Sequence, residues 1–426
     1  MRVCIIGVGY VGLTVGACLA QIGHQVICID NNSEKIQQIQ VGKIPIYEPK
    51  LDELIVNNLE LGNLKFSTDY KIGLQDCDIC YIAVGTPSKD NGDVDFSQVD
   101  SAIDNIAKNI KKYTVIINKS TVPIGSAQSM SEKIAKLTQV DFDIVSNPEF
   151  LKQGTAVDDF LKPERIVIGT KSHKAKEVIL KLYEPLEISP DRIVITDENS
   201  AEMIKYASNS LLAVKISFMN EIANLCEKIG ADIDEVKRGV GLDSRIGDKF
   251  LNAGIGFGGS CFPKDISAII NIAKNNNESL EIIEATKRVN QKQKDKFVEK
   301  ILKKYDNNIK NKTFAVWGLT FKPNTNDLRE APSLYIIDKL KQLGAIIKAY
   351  DPKAICDIKN VKDKYEALID ADSLIIFTEW DEFKQPDFQK ISSHLKDKIV
   401  FDGRNIYKSE QLKKYNLEYV CVGKNE

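Results

Sequence analysis

Histidine is scarce in this chain: His24, His173 and His394 are all it has among 426 residues. Histidine-rich metal sites and Ser-His-Asp chemistry therefore lack material. Positive charge is not in surplus either. Lys and Arg number 58 against 60 Asp and Glu, a formal net charge of −2, and the basic residues do not gather around aromatics. That balance excludes a nucleic-acid surface. No apolar run approaches the roughly 18 residues of a membrane span. The apolar opening "MRVCIIGVGYVG" is broken by glycines and ends as a turn rather than a cleavage site. The expectation is a cytoplasmic protein with neither membrane nor nucleic acid among its partners. A disulfide framework is missing as well, because the nine cysteines are odd in number, widely scattered and often inside apolar runs. Cys77 and Cys80 do form a CxxC, but it enters a strand and no second pair completes a zinc site. It reads as strand packing, and no metal is expected.

What the chain does have is alternation. "RVCIIG", "QVICID", "DICYIAVGTP", "YTVIINKST", "FDIVSNPEF" and "RIVIGT" read as buried strands with helical stretches between several of them. This pattern predicts a parallel sheet covered by helices. From Asn199 the texture changes, with no Pro or Gly until Gly230. About 30 residues of helix would span roughly 45 Å. Asn199 and Glu202 have the spacing of an N-cap and its reciprocal partner. The Lys-rich stretch from Lys287 to Lys312 reads as a solvated helix face plus connector. Strand logic then returns in "KTFAVWGLTFK", "AIIKAYDP", "DSLIIFTEW" and "KIVFDGRN", without a second glycine fingerprint. Three domains are expected: 1–198, a central helical region over 199–305, and 306–426.

Gly7, Gly9 and Gly12 form G-x-G-x-x-G between a strand and a helix. The first permits the tight turn, the second lets a pyrophosphate approach the backbone, and the third lets helix and strand pack closely. The phosphates would sit on the helix N-terminus. Asp30, at the end of the next strand, is placed for the ribose hydroxyls and would repel the 2′-phosphate of NADP. The cofactor expected is NAD, with Lys35 close enough to bear on that choice. Lys205 and Asn209, four residues apart, share a helical face; a solvated face and a shared active-site role both remain open on spacing alone. In "GFGGSCFPKD" Pro263 suits the first turn of a helix, which places Cys261 at or just before its N-terminus. The helix dipole and Lys264 there favour a thiolate, while Gly256, Gly258 and Gly259 let the backbone pass close to a ligand. An inert buried thiol needs neither feature, so Cys261 is read as a nucleophile. With a nicotinamide cofactor, such a thiol serves the oxidation of an aldehyde through a thiohemiacetal and a thioester.

The motifs "GVGYVG", "VGTP", "STVPIG", "NPEFL", "FLNAGIGFGGSCFPKD", "GLTFKPNTNDLREAPS" and "DGRN", in that order, resemble the UDP-glucose/GDP-mannose dehydrogenase family nearly end to end. The resemblance implies two Rossmann-like doubly wound parallel-sheet domains joined by a central helical region with one long helix. It also implies a four-electron, NAD-dependent oxidation of a sugar's primary alcohol to a carboxylate. Catalytic roles carried over are Cys261 as nucleophile, Lys205 and Asp265 for proton handling, and Asn209, Glu149 and Thr121 around them. NAD would meet Gly7, Gly9, Tyr10, Val11, Gly12, Asp30, Lys35, Thr86, Thr121, Gln153, Lys264 and Arg329. The sugar nucleotide would meet Glu149, Phe150, Leu151, Lys152, Lys205, Asn209, Phe250, Leu251, Asn252, Ala253, Gly254, Gly258, Lys322 and Arg404. Arg245 is expected to reach the site of a neighbouring subunit in a homodimer. Gln153 stands where the family usually carries Glu. UDP-glucose is the substrate the motifs favour, with GDP-mannose or a UDP-N-acetylhexosamine as the alternative. A two-electron hydroxyacid dehydrogenase and a non-catalytic NAD-sensing protein are more remote alternatives.

Overall fold

The computed structural model describes residues 1–87, 89 and 93–425. The chain forms two compact units, Met1–Ser208 with Ser267–Asn276, and Asn209–Ile266 with Asn277–Glu426. It passes between them inside the helix Glu198–Ile229 and again inside the helix Phe262–Asn275.

The first unit holds β1 (Arg2–Ile6), β2 (Gln25–Ile29), β3 (Leu64–Ser67), β4 (Ile79–Ile82), β5 (Thr114–Asn118), β6 (Phe142–Ser146), β7 (Ile166–Gly169) and β8 (Ile193–Thr196). They make one sheet in the order β3-β2-β1-β4-β5-β6-β7-β8. The period of two is visible in β1: Val3 and Ile5 join one core while Cys4 and Ile6 join another. Both faces of the sheet are thus covered, which is why its strands read as unbroken apolar runs. The first six strands follow the doubly wound order, with its crevice where β1 and β4 diverge. One feature departs from a wholly parallel sheet. β7 meets β6 antiparallel, at Ser146 and Gly169, and carries β8 with it. Between β6 and β7 lies only the six-residue helix Ala156–Leu161, roughly 9 Å long, too short to return the chain for parallel pairing.

The second unit holds β9 (Thr313–Trp317), β10 (Ile346–Tyr350), β11 (Ser373–Ile376), β12 (Ile399–Asp402) and β13 (Glu418–Val420), all parallel, in the order β10-β9-β11-β12-β13. Its core joins Phe314, Val316 and Phe401 of the strands to Met219 and Ala223 of the long helix and Phe297 of the helix Glu281–Lys303. That last helix corrects the reading of a purely solvated face: Thr286, Asn290, Gln293, Lys294 and Phe297 are buried along one side of it.

The long helix runs over Glu198–Ile229, as its lack of Pro and Gly predicts. Its start differs from the expected Asn199–Glu202 capping box. Asp197 accepts from Ser200 N–H at 2.9 Å. Glu202 instead turns to the N-terminus of the helix Ser126–Leu137, accepting from Gly125 N–H at 2.7 Å and Ala127 N–H at 3.1 Å. A buried carboxylate there meets orphan amides that water does not reach.

Candidate active site

The glycine turn follows β1 directly. Gly7 takes φ +99°, and a Cβ there would come 2.6 Å from the Ala83 carbonyl oxygen. A Cβ on Gly12 would strike the Gly7 carbonyl oxygen, so the helix Tyr10–Gln21 packs against the turn as its sequence requires. Beside Gly9 an added Cβ would meet nothing within 4 Å, which leaves the backbone open to a phosphate at the helix N-terminus. Asp30 lies just past β2. Its Oδ2 accepts from Val8 N–H at 2.8 Å and from Lys35 Nζ at 2.6 Å, and its Oδ1 accepts from Asn32 N–H at 3.0 Å. Burial pushes this carboxyl up, but Lys35 and the two amides outweigh burial and hold it below its usual value. The turn and the acid fit a dinucleotide. Val11 shares the first helical turn with Tyr10, and Thr86 is buried in the loop after β4. The Tyr10 hydroxyl donates to the buried carboxylate of Glu48, which also accepts from Gly154 N–H at 2.6 Å and Ala156 N–H at 2.8 Å. Glu48 thereby fixes the loop that carries Gln153, a role no local pattern reveals.

A second cluster of the same unit gathers at the ends of β5 and β6. Lys205 Nζ donates to Glu149 Oε1 at 2.8 Å and to the Glu149 carbonyl at 2.7 Å, both side chains being buried. Glu149 Oε2 accepts from Leu151 N–H at 2.7 Å. Burial raises the Glu149 carboxyl, yet Lys205, the Leu151 amide and Lys119 together hold it below its usual value. Thr121, Lys119, Glu202 and Lys205 line one small cavity. Phe150 lies beneath the Arg165 guanidinium, 3.8 Å from its ring centroid, and Lys152 pairs with Asp159 at 3.0 Å.

The cysteine loop belongs to the second unit. Cys261 immediately precedes the helix Phe262–Asn275, and its carbonyl accepts from Asp265 N–H at 2.8 Å, the N-cap position. Asp265 is fully buried; its Oδ2 accepts from Asn209 Nδ2 at 2.6 Å. Lys264 Nζ lies 2.8 Å from Asp265 Oδ1, an ion pair whose angle falls outside hydrogen-bond geometry. Burial of Lys205 and Asn209 removes the solvated-face reading of that helix turn. The glycines are needed for packing: a Cβ on Gly258 would strike the Glu330 carbonyl oxygen, and one on Gly259 would come 2.7 Å from the Phe321 ring. Gly259 N–H donates to the Arg329 carbonyl at 2.9 Å. The Arg329 guanidinium is held protonated above its usual value, first by its hydrogen bonds to Asp327 and further by the Cys261 sulfur in its thiolate form.

Three buried amides, none singled out by the sequence, hold this loop. Asn220 Oδ1 accepts from Gly254 N–H at 2.9 Å, Gln293 Nε2 donates to the Gly254 carbonyl at 2.8 Å, and Asn290 bonds both backbone groups of Phe257 at 2.8 and 3.0 Å. The spacing of Asn290 and Gln293 on one helical face was the available signal. Within the loop Phe250 has φ +64°, Leu251 and Ala253 are buried, and Asn252 is exposed. Arg404 binds three carbonyls, of Phe377 at 2.8 Å, Phe321 at 3.2 Å and Gly256 at 3.3 Å, so its guanidinium ties the loop to the ends of the strands. Lys322 Nζ stands 5.7 Å from the Phe321 ring centroid. Arg245 is exposed and pairs with Asp243 at 2.6 Å. Among the described residues no group of three or more His, Cys, Asp or Glu could hold a metal ion, and no helix is long and apolar enough to cross a membrane.

Comparison with known proteins covers the whole chain. The UDP-glucose/GDP-mannose dehydrogenase family matches in three parts: its NAD binding domain at residues 1–187, its central domain at 199–292 and its UDP binding domain at 315–409. UDP-glucose 6-dehydrogenase of Rhizobium meliloti (strain 1021) is 42% identical, with 100% of both chains covered. UDP-glucose 6-dehydrogenase TuaD of Bacillus subtilis (strain 168) is 45% identical, over 99% of this chain and 93% of the relative. The structure of a UDP-glucose dehydrogenase from the hyperthermophilic archaeon Pyrobaculum islandicum matches with a TM-score of 0.91 and 33% identity, covering 99% of this chain and 97% of that one.

Proposed function

The chain belongs to the UDP-glucose/GDP-mannose dehydrogenase family as an NAD-dependent oxidoreductase, and we propose that it oxidises UDP-glucose to UDP-glucuronate with Cys261 as nucleophile. The observation that carries the mechanism is Cys261 at a helix N-cap, partly exposed, with the Arg329 charge beside it. Both features favour negative charge on sulfur.

NAD, when bound, accepts the two electrons of each oxidation as hydride. Gly7, Gly9 and Gly12 would hold its pyrophosphate and Asp30 its ribose, and Thr86, Thr121, Gln153, Lys264 and Arg329 would contribute further contacts. In the alcohol step Lys205, oriented by Glu149, takes the hydroxyl proton as hydride leaves the sugar carbon, giving an aldehyde. The Cys261 sulfur then adds to the aldehyde carbon, and Lys205 and Asn209 stabilise the resulting oxyanion. Loss of a second hydride leaves a thioester. Asp265 takes one proton from water as the water oxygen bonds to the thioester carbon, and the C–S bond breaks to restore the thiolate. The acid gives its remaining proton to solvent and leaves as the carboxylate. The loop from Phe250 to Gly258 and Lys322 line the nucleotide sugar, with Arg404 holding the loop in place.

The homodimer and the cytoplasmic location belong to the same reading. Leu211, Phe218 and Leu225 are exposed at seven-residue spacing along the long helix, a stripe suited to a second copy, and Arg245 extends toward that copy's substrate. Light scattering gives the mass in solution, and Arg245→Ala should raise KM for UDP-glucose without changing that mass.

Absorbance at saturating NAD tests the activity. Two NADH should form per UDP-glucose consumed, with UDP-galactose, GDP-mannose and UDP-N-acetyl sugars far slower. Cys261→Ala should fold and bind UDP-glucose, yet lose about 1000-fold or more in UDP-glucuronate formation. Acid produced by that variant at a near wild-type rate overturns the covalent mechanism.

A further inference from the structure

Lys119 takes no part in the scheme above, yet it is the first residue after β5 and is 7% exposed. Its Nζ donates to Asn147 Oδ1 at 2.9 Å, an oxygen that also accepts from the Tyr183 hydroxyl at 2.8 Å. Asn147 is fixed in turn, its Nδ2 donating to the Val167 carbonyl at 2.6 Å and its N–H to the Asn118 carbonyl at 3.0 Å. Tyr183 and Tyr81 close the network at 2.9 Å. A neutral amide is weak compensation for a buried ammonium. An apolar side chain of similar length would fill the space without that penalty, so packing alone does not account for a lysine here.

The charged neighbours do. Lys119 and Lys205 line the same cavity, and both are drawn to Glu149. The other titratable groups around them are engaged elsewhere. Glu202 accepts from Gly125 N–H, Ala127 N–H and the Ser146 hydroxyl, and the Tyr206 hydroxyl donates to the Val122 carbonyl. Tyr10, which also feels Glu149, donates to Glu48. One carboxylate therefore serves two ammonium groups.

We propose that Lys119 is a positioning residue for the reaction: its buried charge, set against Lys205 across the shared Glu149, keeps Lys205 able to give up its proton. Glu149 by itself would fasten the proton on Lys205, whereas a like charge in the same cavity loosens it. Burial lowers the Lys119 ammonium first, Lys205 lowers it further and Glu149 opposes both, leaving it at about 8. Lys119 thus carries charge across the neutral range, where its repulsion is felt.

This inference rests on the proposed role of Lys205, and the test separates the two. The pH profile of kcat is measured from about pH 6 to about pH 10, with UDP-glucose and NAD saturating, for the intact protein and for Lys119→Met and Lys119→Gln. In both variants the limb set by Lys205 should move to higher pH by roughly one unit, with KM for UDP-glucose within about threefold of wild type. A limb that stays put in both active variants overturns the proposal alone. So does a uniform loss of rate at every pH with the profile unchanged, which is the mark of a packing role. Lys205→Met with wild-type kcat overturns the proposed function, and this proposal with it.

Discussion

The two α/β units build the same corner and use it differently. In the first, β1 ends beside Gly7 at φ +99°, Gly7 N–H donates to the last residue of β2, and the acid that follows, Asp30, accepts from Val8 N–H. In the second, β9 ends beside Gly318 at φ +88°, Gly318 N–H donates to the last residue of β10, and the acid that follows, Asp351, accepts from Leu319 N–H at 2.7 Å. The resemblance ends at the remaining lone pairs. The Asp30 side chain keeps 10% of its surface exposed and is paired with the partly exposed ammonium of Lys35. Asp351 is fully buried, and Thr320 N–H, the Thr320 hydroxyl, Lys353 N–H, Ala354 N–H and Trp380 Nε1 all donate to it. One corner is open to a ribose; the other is saturated by its own chain. A strand-turn-acid arrangement is therefore a scaffold, and the supply of competing donors decides whether it binds anything.

The sharpest way to break that comparison is Asp351→Ala. It orphans buried donors and should cost roughly 4 kcal/mol of stability, read as a lower urea midpoint for the unfolding of the second unit. Asp30→Ala should move the midpoint of the first unit little, and equal losses in the two variants, each read on its own unit, would erase the distinction. Next comes the residue just past β5, Lys119, against the last residue of β12, Asp402, since these strands hold matching places in their sheets. Both are buried, and burial lowers Lys119 to about 8 while it raises Asp402 despite the hydrogen bonds that Asp402 accepts. Below its ordinary lysine value the unfolded chain holds the Lys119 proton more firmly than the folded one. Stability should therefore rise by roughly 3 kcal/mol between about pH 8 and the ordinary lysine value, and Lys119→Met should lose that rise. The smallest effect is on the cofactor. Asp30→Ala should raise KM for NAD about tenfold, or about 1.4 kcal/mol, and narrow the preference for NAD over NADP, measured as the ratio of kcat/KM values. An unchanged ratio would show that Lys35 has already neutralised the carboxylate's discrimination.

Much of this was legible in the sequence because burial on both faces of a sheet leaves unbroken apolar runs, and the strands β1, β2, β4, β5, β6 and β7 all announce themselves that way. β3, β8 and β13 do not: "LKFS" and "EYV" are short and part polar, and Val194 and Ile195 are partly exposed on an edge strand. The N-cap cysteine and the turn glycines were legible because local backbone geometry requires them. Lys119, Glu48 and Glu202 were not, since each acts on backbone or side chains distant in sequence, and a lysine just past a strand or a glutamate near the start of a helix has an ordinary surface reading. Glu202 misled for that reason: its spacing from Asn199 matched a local cap, while its carboxylate served another helix.

The distribution of thiols has a practical reach. Seven of the cysteines are buried, and only Cys261 and Cys356 meet solvent in part. A mild alkylating reagent applied to the folded protein has two targets, and Cys356→Ser leaves one. In that background, reagent consumed per chain counts the reactive sites in a preparation, and protection by UDP-glucose turns the same label into a titration of occupancy.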